Sequence, residues 1–177
     1  HGLHAEVRRR RASHQEVVSV ESGTGRLPIK GKTCVVTGAN SGVGYHTALE
    51  LAGSSAHVIL VCRSRERGAE ALEAIRRETG NTTVELMIAD LSSQASIRKW
   101  AAECAKRHAR LDVLINNAGI IAGPRVVTQE GFEYTFALNH MGYFLSTSLL
   151  LPLLKKSAPA RIINVASEGH RAGRIHF

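Results

Sequence analysis

Eight consecutive residues, Thr37-Gly38-Ala39-Asn40-Ser41-Gly42-Val43-Gly44, set three glycines in a turn that follows a β-branched run and opens a helical pattern. Such a turn suits backbone that must bend sharply while an anion comes close. Gly38 permits the bend, Gly42 lets the main chain approach a pyrophosphate, and Gly44 lets the helix pack tightly. A helix starting here presents unpaired N–H groups and the positive end of its dipole to negative oxygens. Thr37, Asn40, Ser41 and Val43 belong to the same candidate site. Further along, the second apolar run closes on Cys62-Arg63-Ser64-Arg65, with Arg63 standing 19 positions beyond Gly44. An acidic residue at about 20 positions would accept from a ribose 2′-hydroxyl. Here a guanidinium stands instead, with Ser64 beside it, and can pair in bidentate fashion with a 2′-phosphate. The expected cofactor is NADP(H), in preference to NAD(H).

The elements that must position these residues are legible as alternating patterns. Short, near-continuously apolar runs at Thr33–Thr37, His57–Cys62, Val84–Ala89, Leu111–Asn116 and Arg161–Val165 suit strands covered on both faces. Helical patterns between them are expected at about Gly42–Ala52, Arg65–Thr79, Ser93–Arg107 and Gly131–Lys156, with Gly80 as a stop for the second. Successive right-handed βαβ units predict an α/β fold of the Rossmann type. It is a doubly wound parallel sheet in the order 3-2-1-4-5, with its crevice where the order reverses beside the first strand.

Composition sets wider bounds. The chain has 177 residues, 44% hydrophobic and 21% charged, which fits one globular domain and argues against disorder. Its net charge of +8 favours a polyanionic partner. Part of the excess sits in Arg8, Arg9, Arg10 and Arg11, in a segment without apolar periodicity, so residues 1–30 read as a basic, mobile tail and 31–177 as the nucleotide-binding domain. With 5% aromatic residues and none in that tail, nucleic-acid binding is not expected. Cys34, Cys62 and Cys104 are odd in number and far apart, so no disulfide framework is expected. Nine histidines lack metal-ligand spacing along the chain, and no metal is expected. Asn81-Thr82-Thr83 matches a glycosylation sequon. No apolar stretch is long enough to span a bilayer and no secretory leader opens the chain, which predicts a cytoplasmic protein without a transmembrane segment.

The glycine spacing, three intervening residues and then one, resembles the Thr-Gly-x-x-x-Gly-x-Gly of the short-chain dehydrogenase/reductase family. Asp90-Leu91, Asn116-Asn117-Ala118-Gly119, Asn139 and Asn164-Val165-Ala166-Ser167 are similar to that family's further motifs in order and spacing, over roughly Gly31–Phe177. Tyr134-Thr135-Phe136 and Gly169-His170-Arg171 resemble its retinol-dehydrogenase-like branch. The resemblance implies an adenine contact at Asp90-Leu91, where helix capping is the rival role for the carboxylate. It also implies that Asn117, Ala118 and Gly119 stand by the nucleotide and that Asn117 holds the central strands together. Ser167 and Asn139 take the family's serine and asparagine catalytic posts, though from the residues alone each could serve only local backbone.

The family's proton donor and its partner come from a Tyr-x-x-x-Lys motif. Tyr45, Tyr134 and Tyr143 are followed four positions on by Leu49, Leu138 and Thr147, so none can supply it. The resemblance thus implies the nucleotide-binding half of an NADP(H)-dependent oxidoreductase. It would act on a hydrophobic carbonyl or alcohol such as a retinoid, steroid or lipid aldehyde, with C-terminal strands missing, the chain by itself inactive, and a homo-oligomer at full length. The competing reading is a catalytically incomplete form that binds nucleotide or a protein partner.

Overall fold

In the computed structural model, residues 29–121 and 123–171 are described. The arginine run at 8–11 and nearly all of the expected tail lie outside them. Five strands, β1 (Thr33–Thr37), β2 (His57–Cys62), β3 (Glu85–Ile88), β4 (Val113–Asn116) and β5 (Arg161–Asn164), alternate with α1 (Gly42–Gly53), α2 (Arg65–Thr79), α3 (Gln94–Arg107) and α4 (Gly142–Lys156). All pair in parallel in the order β3-β2-β1-β4-β5. This is the doubly wound Rossmann-type sheet that the alternating pattern predicts.

The period-two alternation of each strand divides the core. Val35, Ile59, Val61 and Leu114 face α3 and α4, against Trp100, Cys104 and Leu150. Cys34, Val36, Val58 and Leu60 face α1 and α2, against Ala48, Ala52 and Ile75, and Ile29 already packs here. The strand β5 is exposed along its length, and Ile162 and Ile163 keep 40% and 45% of their surface in contact with solvent.

Helix starts follow local side-chain chemistry. Ser64 accepts from the Arg67 N–H at the start of α2, and Ser93 accepts from the Ser96 N–H at the start of α3. Gly80 ends α2 at φ 68°. The long helix expected from Gly131 starts later. Gly131 sits at φ 85° in a turn closed by Thr128, and Glu133 caps the first helical turn by accepting from the Thr135 and Phe136 N–H groups at 2.9 and 2.7 Å. Tyr134–Phe136 then passes into a π-helical stretch, Ala137–Met141, before α4.

The sequon asparagine is a structural staple. Asn81 donates from Nδ2 to the carbonyls of Ala52 and Ala56 at 2.9 and 2.8 Å, and accepts at Oδ1 from Thr83. Its amide is spent joining the loop after α1 to the loop after α2.

Candidate nucleotide-binding and active site

At the carboxyl ends of β1 and β4, where the strand order reverses, the glycine turn and the Asn117-Ala118-Gly119 turn lie against each other. Gly38 has φ 67°, and a Cβ there would meet the Ala118 Cα at 2.8 Å. A Cβ on Gly44 would meet the Gly38 carbonyl oxygen and Asn117 Nδ2, each at 2.4 Å. Gly38 is therefore required by contact as well as by conformation, and Gly44 by contact. Gly42, at φ 55°, has open space before it. Unlike α2 and α3, α1 starts without a side-chain cap or an acidic residue in its first turn, so its N-terminal donors keep their capacity for an anion.

Thr37 and Asn117 lock the two turns together. Thr37 Oγ1 accepts from the N–H groups of Asn117 and Ala118 at 2.9 and 3.0 Å, and Asn117 Nδ2 donates to the Thr37 carbonyl at 2.8 Å. Thr37 is wholly buried beneath the turn. A cleft of about 470 Å³ opens beside it, lined by Asn40, Ser41, Gly42 and Val43 of the glycine turn, by Arg63 just past β2 and Arg67 on α2, by Asp90 and Leu91 past β3, and by Ala118 past β4.

The expected site residues are not all alike in this frame. Arg63 reaches the cleft mouth, where its Nη1 donates to the Tyr134 hydroxyl. Ser64 is engaged in starting α2 and in donating to Glu66, and stands outside the cleft lining. Asp90 accepts at Oδ1 from the Ser92 N–H and hydroxyl at 2.9 and 2.6 Å. Capping of α3 falls to Ser93, so the carboxylate of Asp90 is oriented at the cleft rim and does not cap the helix.

Asn139 lies within the π-helical stretch, and both ends of its amide hold Ile120. Oδ1 accepts from the Ile120 N–H at 2.9 Å and Nδ2 donates to its carbonyl at 2.8 Å. Ser167, just past β5, accepts from the Gly169 N–H at 3.1 Å. Asn139 and Ser167 share a second, larger cleft of about 860 Å³, whose walls include Ile121, Tyr143 and Phe144 and which meets the first at Asn117 and Gly119.

Among the parts of the nucleotide cleft that the sequence did not single out are Arg67, Tyr134, Ile120 and Leu138. Arg67 carried a signal, since it stands one helical turn beyond Arg63 at the start of α2. Tyr134, Ile120 and Leu138 carried none, because only the fold brings them to Arg63 and the glycine turn.

The short chain dehydrogenase family model matches residues 32–177. The chain belongs to the short-chain dehydrogenases. Human retinol dehydrogenase 13 is 50% identical over 152 residues, covering 86% of this chain and 46% of the relative. Dehydrogenase/reductase SDR family member 13 of Bos taurus is 51% identical over 153 residues, covering 86% and 40%. Both place the chain in the retinol-dehydrogenase-like branch of the short-chain dehydrogenases, and the chain spans a little under half the length of these curated relatives. A short chain dehydrogenase from Escherichia coli CFT073 complexed with NADPH superimposes with a TM-score of 0.73 at 29% identity, over 85% of this chain and 64% of that one. The Pseudomonas aeruginosa RhlG/NADP complex does so with a TM-score of 0.68 at 34% identity, over 78% and 56%.

Proposed function

We propose that this short-chain dehydrogenase chain binds NADP(H) across the cleft and forms the nucleotide-binding half of an oxidoreductase for a hydrophobic carbonyl or alcohol of the retinoid, steroid or lipid-aldehyde kind. One observation carries the cofactor reading: Arg63 and Arg67 line the same cleft as the glycine turn. The residues fit the group. Gly42 opens on free space, the uncapped start of α1 suits the pyrophosphate, and the two guanidinium groups of Arg63 and Arg67 suit a 2′-phosphate. Asp90, just past β3 on the lining of the same cleft, would accept from the adenine amino group. Two solved relatives described with NADPH or NADP support the same reading.

When bound, the nicotinamide supplies or accepts hydride. This chain's own residues bind and orient. Asn139 fixes the backbone at Ile120, Ser167 offers a hydroxyl on the wall of the larger cleft, and Ile121 and Phe144 give that cleft an apolar surface suited to a hydrophobic substrate. Proton transfer at the developing alkoxide needs a group with a tuned pKa. None of the three tyrosines has a lysine four positions on, so the 177-residue chain by itself is expected to bind nucleotide without turnover.

Equilibrium titration with NADPH and with NADH tests the cofactor reading. The wild-type chain is expected to bind NADPH at least about tenfold more tightly, a difference of ~1.4 kcal/mol. Arg63→Asp is expected to reverse the order by repelling the 2′-phosphate and accepting from the 2′-hydroxyl. An unchanged preference in Arg63→Asp would overturn it.

A further inference from the structure

At the opposite end of the sheet, away from the nucleotide cleft, three segments that are distant in sequence bring together two imidazoles and a carboxylate. His57 is the first residue of β2, Glu85 the first of β3, and His108 follows the last turn of α3. Their donor atoms all lie within 4.8 Å of one another. We propose that His57, Glu85 and His108 form a divalent-cation site of the zinc type, one that clips β2, β3 and α3 together.

Two features go beyond mere proximity. The His108 side chain is 10% exposed, and its Nε2 is buried without a hydrogen-bond partner, 3.4 Å from Glu85 Oε1. A buried polar nitrogen left in this state is costly, and a metal bond would satisfy it. The Glu85 carboxylate is also pre-oriented. Arg107 Nη2 donates to Oε2 at 2.5 Å, which leaves Oε1 facing the two histidines, with His57 Nε2 at 2.6 Å. Such an outer partner on a ligating carboxylate is a regular part of metal sites. The Arg107 charge is shared with Glu103 at 3.2 Å, so two carboxylates offset one guanidinium around the site.

The donor set is that of zinc: imidazole nitrogen and carboxylate oxygen, three protein ligands, and a remaining position for water. Bonds of about 2.0–2.2 Å in tetrahedral geometry place donors roughly 3.3 Å apart. The His108–Glu85 separation already matches. The His57–Glu85 pair is a direct hydrogen bond and must open by roughly 0.7 Å as the ion takes the place of the shared proton. His57 has the room for this, being the most exposed of the three at 31%. The site lies at the amino ends of the strands, far from the glycine turn, which makes it a structural or regulatory clip that does not take part in hydride transfer.

The test uses the full chain freed of metal by a chelator and titrated with Co²⁺ and Zn²⁺. The expected result is one equivalent bound, a visible Co²⁺ absorption displaced by Zn²⁺, and a rise in the unfolding midpoint with Zn²⁺. His57→Gln and Glu85→Gln, read separately in case either fails to fold, are each expected to weaken binding by at least about 100-fold, since even outer-shell partners cost about 10- to 100-fold. Arg63→Asp is expected to leave the metal affinity unchanged, which separates this outcome from that of the nucleotide reading. Absence of stoichiometric binding overturns the proposal. So does binding that survives in both variants, which would assign the metal to other histidines such as His1, His4 and His14.

Discussion

Thr37 and Asn117 exchange bonds across the reversal in strand order: the threonine hydroxyl oxygen accepts from the Asn117 main-chain N–H at 2.9 Å, and the asparagine side chain donates back to the threonine carbonyl at 2.8 Å. The pair fixes the spacing of the two turns that face the nucleotide. Thr37→Val removes an acceptor shared by the N–H groups of Asn117 and Ala118, and each donor left unsatisfied costs about 1–3 kcal/mol. A loss of about 2 kcal/mol or more in urea unfolding is expected, with Thr37→Ser close to wild type. A Thr37→Val chain as stable as wild type would show that the hydroxyl does not hold the turns.

Gly44→Ala is expected to be severe for a different reason. The added methyl would sit 2.4 Å from the Gly38 carbonyl, which is backbone, and from Asn117 Nδ2, which is held by its bond to the Thr37 carbonyl. Overpacking of this kind costs about 1–3 kcal/mol, and here the strain falls on the phosphate turn itself. Nucleotide titration should show affinity lost by at least about tenfold, alongside a lowered unfolding midpoint. Gly42→Ala meets open space at φ 55°, so its cost is conformational, about 1 kcal/mol.

What could be read from the chain in advance was whatever depends on neighbours in sequence. The strand order and the glycine turn follow from periodicity and short spacing. The start of the fourth helical segment did not, because Gly131 and Glu133 decide it through a turn and a cap that interrupt an otherwise continuous helical pattern. Tyr134 beside Arg63 is a contact across 71 positions, and His57, Glu85 and His108 likewise meet only through the parallel pairing of β2 with β3 and the return of α3. The expectation of no metal rested on ligand spacing along the chain, which is blind to such a cluster. Asn139 was singled out by its motif alone, and its two bonds to Ile120 and the π-helical turn around it depend on tertiary packing.

Asp112 predicts an acid limb in stability. Its carboxylate is 2% exposed and accepts from the Thr33 N–H, from Arg110 and from Lys32. Burial alone would raise its pKa, but these partners outweigh it and hold the pKa below the ordinary value of 3.8. A depressed folded pKa means that the contribution is fully present above the unfolded value and is lost as pH falls through the folded one. Asp112→Asn should therefore destabilise by about 3 kcal/mol at neutral pH, the lower end for a broken buried pair because Arg110 and Lys32 still reach solvent. It should also flatten the decline in stability below pH 3.8. Urea unfolding of both proteins across the acid range measures this, and parallel curves would remove Asp112 as the cause.

The three thiols should be inert in the folded chain. Burial, the largest cause in each case, pushes Cys34 up to about 12 and Cys62 and Cys104 each up to about 11. Thiolate is the reactive form, so at pH 8 only about one molecule in a thousand would carry it at Cys62 or Cys104, and fewer at Cys34. All three are free and buried in the two cores, with Cys34 and Cys62 on the α1–α2 side and Cys104 on the α3–α4 side. Titration with an aromatic disulfide reagent should find less than one thiol per chain before denaturant and three after it. A thiol that reacts rapidly in the native chain would mean that one of these cores opens locally, and mass mapping of the labelled cysteine would show whether it is the face beneath the glycine turn or the face that α3 and α4 cover.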